Sequence, residues 1–508
     1  MTDMNDTVVI AGGGPAGLLL ASELALAGIR PVVLEKRTGT EEFSAGMAIH
    51  GRSLELLRLR GLADRIGPDE MFAWPRTPFG FLWLDLAEVN EREYTHAYPQ
   101  WRLELLLAGR AAELGVDLRR GHELTGLTQD EDGVQVEVRS PEGTYWLGGR
   151  YLVGCDGRDS TVRALAGMAS PGSGKSYYGV LADVELSEGD HDLFESGLHE
   201  HGVFGAIPLR PGMTRLMTIE FDAEPEQGSE PVTTEELLAS VRRVSGRELE
   251  IVKTYFSYRY GGRTSLAERY RENRVFLAGD AAHSLFVSGT QGLNTGLHDA
   301  FNLGWKLAAE LNGRAPSGLL DTYHRERHTV GERVARHSRA QMALMHPLDR
   351  MTPLREMLEE LIGLGSVNRY LSESTAAFGY PPDADEASAG QVWHPLVGEP
   401  VTDFALTTAD GATSLGQLLA SGRGLLLDLT DGTADAASWG DGWEDRVDHV
   451  AAASAGPGPG PVPPALRLLV RPDGHIAWAD DGSSDDKGLE AALHAWFGEP
   501  AGTSTGKE

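Results

Sequence analysis

Gly12, Gly14 and Gly17 stand at the spacing G-x-G-x-x-G, and Glu35 follows about 20 residues on. Such a set can hold a pyrophosphate and a ribose. Gly12 permits a tight turn, Gly14 lets the backbone approach the phosphates, and Gly17 lets a helix pack closely on the strand before it. The phosphates would face free N–H groups at a helix N-terminus. A carboxylate at Glu35 can accept two hydrogen bonds from a ribose diol and would repel a 2′-phosphate. The loop alone does not say whether FAD or NAD sits there. Two more polar segments follow far downstream: Gly154-Cys155-Asp156-Gly157-Arg158-Asp159-Ser160-Thr161-Val162-Arg163, and Ala278-Gly279-Asp280-Ala281-Ala282-His283 with Gln291-Gly292-Leu293-Asn294. Taken singly, Asp156-Gly157 reads as a turn and Gly279-Asp280 as a strand end.

The elements that must position these residues are legible around them. Val8 to Ala11 is a short apolar, β-branched run, as in a buried parallel strand. An Ala/Leu-rich helix runs to Ala27, and Pro31 to Glu35 is a second strand. Thr38 to Met47 reads as a loop and Arg52 to Leu62 as a helix. Phe72 to Leu86, rich in aromatics, suits strands and turns lining a pocket, although aromatics of a sheet core read the same way. Gln100 to Glu113 is a helix with a leucine face. Asp132-Gly133 marks a hairpin, with Val134, Val136 and Val138 on one side. Tyr151 to Gly154 is another buried strand. From about Ser176 to Tyr260 the chain is mostly strand, with one helix at Thr233 to Val244. Arg274 to Asp280 returns as a strand, Gly292 opens a long helix, and helices continue from Leu319 to about Leu371. Composition shifts near Pro381 to Ser388. A β/α module of about a hundred residues follows, with a Pro/Gly-rich stretch at Gly456 to Pro464 and the turn Arg471-Pro472-Asp473-Gly474. It should have a small core of its own and be separable near Pro381.

The chain has 508 residues, too many for one core. Its formal net charge of −30 argues against nucleic-acid and anionic-membrane partners. The single cysteine, Cys155, permits no internal disulfide and no CxxC centre. Asp3 and Asp6 stand where a signal peptide would carry positive charge, and no apolar run reaches membrane-spanning length. A cytoplasmic protein, monomer or homodimer, is expected. No metal site is expected.

Together, the glycine loop with Glu35, the Asp156-Gly157 segment and the Gly279-Asp280 segment resemble the class A FAD-dependent monooxygenases. Within these, the chain is most similar to the aromatic hydroxylases that tailor actinomycete polyketides. The resemblance implies an α/β fold. A Rossmann-like FAD-binding domain (1–175, returning at 273–380 with a helical segment) carries an inserted β-rich substrate domain (176–272). A thioredoxin-like domain without redox cysteines spans 390–500. It implies FAD contacts by Gly12, Gly14, Pro15, Ala16 and Gly17, and by Glu35 and Lys36 at the adenosine ribose. Leu124 would lie at the adenine, with Gln100 and Arg102 at the flavin. Asp156 and Gly157 would serve FAD and NAD(P)H, and Asp280 the ribityl chain or pyrophosphate. Gly289, Gln291, Gly292, Leu293 and Asn294 would border the isoalloxazine. The free N–H groups and dipole of that last helix can stabilise negative charge on a reduced flavin.

The implied activity is hydroxylation of a polycyclic aromatic intermediate with NAD(P)H and O₂ through a C4a-hydroperoxyflavin. FAD would be held non-covalently. Tyr177, Tyr258 and Arg259 are candidates to orient or ionise a phenol, and read equally as sheet-surface or core residues. His283 is expected to make a structural hydrogen bond. Two departures from the family pattern stand out. Ala45 occupies the place of a frequent arginine, and Ser284 to Thr290 lacks the usual prolines. Two alternatives stay open on the same scaffold: a Baeyer–Villiger or other oxidative rearrangement, and a flavoprotein without redox chemistry.

Overall fold

The computed structural model describes residues 7–40, 42–191, 193–223, 232–286, 291–375, 379–380, 394–430, 441–454, 465–481 and 487–501. The strand Thr7–Ala11 lies at the centre of a six-stranded sheet, between Arg30–Glu35 and Tyr151–Gly154, parallel to both. Asp117–Arg120 extends the sheet beyond Arg30–Glu35, and Val275–Leu277 extends it beyond Tyr151–Gly154. Strand order therefore reverses beside Thr7–Ala11, which opens a crevice at the carboxyl ends of the central strands. Val8, Val9 and Ile10 are fully buried because both faces of the sheet are covered. The helix Pro15–Leu26 packs against the helix Gln291–Leu311. They cross closely at Gly304, where an added Cβ would stand 2.7 Å from Glu23 Cβ.

The inserted sheet is antiparallel, in the order Glu195–His199, Gly202–Arg210, Met213–Phe221, Gly172–Leu186, Ile251–Leu266, His283–Ser284. The expected boundary at 176 thus falls inside its strand Gly172–Leu186, and His283–Ser284 joins it from beyond 272. Alternation sorts its side chains. Tyr178, Val180, Ala182 and Val184 pack under the helix Thr234–Ser245. Tyr177, Leu181, Ile219, Phe221 and Tyr260 form the other face, with Phe286 and Met345 against them. In the aromatic stretch before Gln100, Phe79 and Leu82 are buried while Phe72 and Trp83 are exposed, so it is a hairpin region packed on one side.

The C-terminal residues form a four-stranded sheet in the order Val447–Ala451, Gly424–Asp428, Arg467–Val470, Ile476–Asp480. Its expected independent core is half of what is found. Leu426, Trp443, Leu469, Trp478, Leu493 and Phe497 do form a separate cluster. Leu425, Leu427, Leu468 and Val470, on the opposite face, belong to the cluster that fills the FAD-binding domain. The period of two that gives the module a core also hands its other face to the neighbouring domain. The expected linker regions at Pro381 to Ser388 and Gly456 to Pro464 lie outside the described residues. No described helix is long and apolar enough to cross a membrane.

Candidate active site

A groove of about 440 Å³ opens at the strand reversal. Of the expected residues, Gly12, Gly14, Pro15, Ala16, Glu35, Lys36, Gln100, Leu124, Asp156, Gly157, Asp280, Gly292 and Leu293 line it. The three glycines of the loop divide their work. Gly12 has φ +106°, and a Cβ on it would lie 2.2 Å from the Cys155 carbonyl oxygen. A Cβ on Gly17 would lie 2.0 Å from the Gly12 carbonyl oxygen. Both are required by the fold itself. At Gly14 a Cβ would meet nothing within 4 Å, so that side of the loop is left open toward the groove.

Glu35 is buried at the end of its strand. Its Oε2 accepts the Gly13 N–H at 2.7 Å, and its Oε1 accepts the Arg37 N–H at 2.8 Å. Burial alone would raise its carboxyl. The Arg37 N–H and guanidinium, with the Gly13 N–H, outweigh that and hold it below the usual carboxylate range. Gln100 donates to Glu104 Oε1 at 2.9 Å, one helical turn on, and Glu104 also lines the groove. Arg102 is not among the lining residues; it lies over the Trp101 ring and 3.8 Å from Glu70.

Asp156 is turned into its own loop. Its Oδ1 accepts from Ser160 Oγ and its Oδ2 accepts the Val162 N–H at 3.0 Å. It holds the start of the helix Thr161–Leu165 in place, and only its flank borders the groove. Asp280 is exposed at the groove, its Oδ1 3.5 Å from where a Gly292 Cβ would be. Behind it, Asn294 Oδ1 accepts the His50 N–H at 2.9 Å and ties the long helix to the strand Ala48–His50. Gln291 is buried, and its Nε2 has no hydrogen-bond partner among the described residues. Gly289 lies outside the described residues. His283 makes the structural contact expected of it, 2.8 Å from Asp299. In the segment without prolines, the Phe286 N–H donates to Ser338 Oγ at 2.9 Å, and the ring meets Tyr177 edge-on at 4.9 Å. Arg215, paired with Asp183 at 2.6 and 2.7 Å, donates to the Ala45 carbonyl at 3.3 Å.

Tyr258 lines the groove, and Tyr177 is buried on the same sheet face. Arg259 is on the other face, where it pairs with Glu236 of the outer helix at 2.7 Å. One residue along a strand reverses direction, so Arg259 is set apart from the groove. Arg158 went unremarked in the sequence. It reaches across to the Gly261 carbonyl, and its guanidinium lies near Tyr177, Tyr258 and Asp280. Burial pushes the Tyr177 phenol up, against the opposing pull of Arg158, so it stays a neutral hydroxyl at neutral pH, while Tyr258 at the groove is 49% exposed.

The cradle fits a flavin dinucleotide. It offers an open glycine, a buried ionised carboxylate on one side, and a helix start with a spare buried amide on the other. Residues 5–338 match the family model of the FAD binding domain, and residues 394–500 that of the aromatic-ring hydroxylase C-terminal domain. The chain belongs to the FAD-dependent aromatic-ring hydroxylases. This hydroxylase is 41% identical to 12-dehydrotetracycline 5-monooxygenase/anhydrotetracycline 6-monooxygenase of Streptomyces rimosus, over 98% of this chain and 100% of that one. It is 40% identical to dialkyldecalin synthase of Streptomyces rugosporus over the same shares. The solved anhydrotetracycline hydroxylase of Streptomyces rimosus superposes with a TM-score of 0.88, at 40% identity, covering 97% of this chain and 99% of that one. The cofactor of the hydroxylase is FAD, and its class is that of the flavoprotein monooxygenases.

Proposed function

We propose that the protein hydroxylates a polycyclic aromatic intermediate of the polyketide type, as a cytoplasmic enzyme drawing electrons from NADH or NADPH. When bound, FAD supplies the electron relay from the nicotinamide to O₂. The observation that carries the substrate class is the position of Tyr258. It borders the cofactor groove on the sheet face that holds Tyr177 and Tyr260, with Phe286 packed against them. A flat, apolar ring system stacked beside the half-exposed Tyr258 would lie at the end of the groove. The chain's own part is to bind and orient. Gly14 and the N-terminus of the helix Pro15–Leu26 accommodate the pyrophosphate, with Glu35 placed for the ribose. The start of the helix Gln291–Leu311 offers positive potential to charge on the ring system. Tyr177, buried near the Arg158 guanidinium, can donate a hydrogen bond to a substrate oxygen.

The test is turnover of a panel of aromatic polyketide intermediates with NAD(P)H under ¹⁸O₂, read by mass spectrometry. One labelled oxygen in a new phenol is expected. A labelled, ring-expanded product would mark a Baeyer–Villiger reaction. A second reading, cyclisation or rearrangement without redox turnover, is favoured by the similarity to a protein named dialkyldecalin synthase. Product formed without oxygen and without NAD(P)H would establish that reading and overturn the first.

A further inference from the structure

The turn Arg471-Pro472-Asp473-Gly474 joins the strands Arg467–Val470 and Ile476–Asp480. All four residues meet the FAD-binding domain. Arg471 donates to Glu326 through two nitrogens, at 2.7 and 3.1 Å, and lies over the rings of Trp305 and Trp496. The Pro472 carbonyl accepts from Arg60 at 2.7 Å, and Arg60 is itself paired with Glu23 of the helix Pro15–Leu26. Asp473 Oδ2 accepts from Asn302 at 3.1 Å. A Cβ on Gly474, which has φ +78°, would stand 2.5 Å from Leu59 Cδ1.

A buried polar chain continues from this turn to the cofactor groove. Glu326 Oε2 accepts from Asn302 and from Lys306, each at 2.6 Å, and both belong to the helix Gln291–Leu311. Next to Glu326, Arg327 donates to Asp299 Oδ1 at 2.7 Å and to the Thr295 carbonyl at 3.2 Å. Asp299 Oδ2 accepts the Gly279 N–H at 3.0 Å. Gly279 and Asp280 line the groove. Asp299, Asn302, Lys306 and Arg327 are fully buried, so water cannot stand in for a lost partner.

We infer that the Arg471–Gly474 turn is a positioning element for the cofactor. By gripping Glu326 and Asn302 it sets the seat of the helix Gln291–Leu311, whose first turn and whose Asp299 shape the groove. The C-terminal domain thereby contributes to FAD affinity without touching FAD. The inference rests on the assignment of the groove to FAD. That assignment fails separately, if the full-length wild-type protein does not bind FAD at all.

Two measurements test it. By linkage, FAD added to the deflavinated full-length protein should slow hydrogen exchange in the backbone of residues 467–480, none of which lines the groove. Unchanged exchange there, with FAD demonstrably bound, would overturn the inference. Second, Arg471→Met is compared with Arg467→Met, which breaks the buried Arg467–Asp480 pair inside the same domain. Arg471→Met should raise the FAD dissociation constant about tenfold, whereas Arg467→Met lowers thermal stability and leaves FAD affinity within about twofold. Equal effects on FAD affinity would reduce the turn to general scaffolding. If Arg471→Met does not fold, Asp473→Asn takes its place in the same comparison, and the exchange experiment needs no variant.

Discussion

The Glu35 carboxylate and the Gly13 backbone N–H are bonded at 2.7 Å across the first βαβ unit. The acid placed for the ribose therefore also holds the phosphate loop in shape. Removing it should disturb both ends of one contact. Glu35→Ala is expected to weaken FAD binding by ~10–100-fold, the range for hydrogen bonds to a charged group. Glu35→Gln should fall between, because an amide nitrogen cannot accept from Arg37 or Gly13. Fluorescence titration of deflavinated protein measures both. An unchanged dissociation constant in Glu35→Ala would remove the ribose assignment.

The loop glycines should separate by phenotype. Gly12→Ala and Gly17→Ala each place a Cβ about 2 Å from a backbone oxygen, so both should lose folded yield. Gly14→Ala meets nothing, and its φ of −79° suits alanine. It should melt within a few degrees of the wild type yet bind FAD more weakly, because the new methyl intrudes where phosphates pass. Melting curves with and without FAD distinguish the three. A Gly14→Ala protein with full FAD affinity would contradict the placement of the phosphates.

Much of this site was readable in the sequence, because its parts are local. A β-strand, a glycine turn, a helix and an acid fall within one stretch of chain, and each carries its own physical signature. The faces of the inserted sheet were not readable. Tyr258 and Arg259 are neighbours, and only the pairing of their strand decides which one meets the groove. Arg158 was given no role for a related reason: its hydrogen-bond acceptor, the Gly261 carbonyl, comes from another domain. Glu104 left a usable signal, one helical turn beyond Gln100. The turn Arg471–Gly474 was visible as a turn, but its docking depends on Glu326 and Asn302, distant in sequence and unmarked there.

That alternation gives a direct comparison. Tyr258→Ala should raise the KM for the aromatic substrate severalfold, since it removes a ring from the junction of groove and sheet. Arg259→Met should leave kcat and KM within about twofold and cost at most about 1 kcal/mol of stability, as expected for a partly exposed ion pair. Steady-state kinetics and denaturant melts of the two variants check this. A larger kinetic effect at Arg259 would mean the sheet presents its other face to substrate.

Acid sensitivity should trace to Glu326. Burial would raise its carboxyl, but Arg471 and Lys306 outweigh burial and hold it at about 2, against an ordinary value of 4.5. Between those values the unfolded chain binds more protons than the native one. This carboxylate therefore supports the fold fully above about pH 4.5 and loses its effect as pH falls toward 2. The stability gap between the wild type and Glu326→Gln should shrink on going from about pH 6 to about pH 3, as measured by denaturant unfolding. A constant gap would show that folding leaves the proton affinity of Glu326 unchanged and that the Arg471 and Lys306 contacts do not hold it ionised.

The central, mostly parallel sheet is stitched from distant parts of the chain, with Thr7–Ala11 at its centre and Val275–Leu277 beyond Tyr151–Gly154. This has a bearing on synthesis. A nascent chain leaving the ribosome exposes the phosphate loop first, long before the sheet has its later strands or the long helix its seat. Such a chain owns the nucleotide fingerprint but not the container. The cell's flavin supply should therefore be drawn on only after the chain has passed the helix Gln291–Leu311, and yellow colour in a preparation would report that the container has closed.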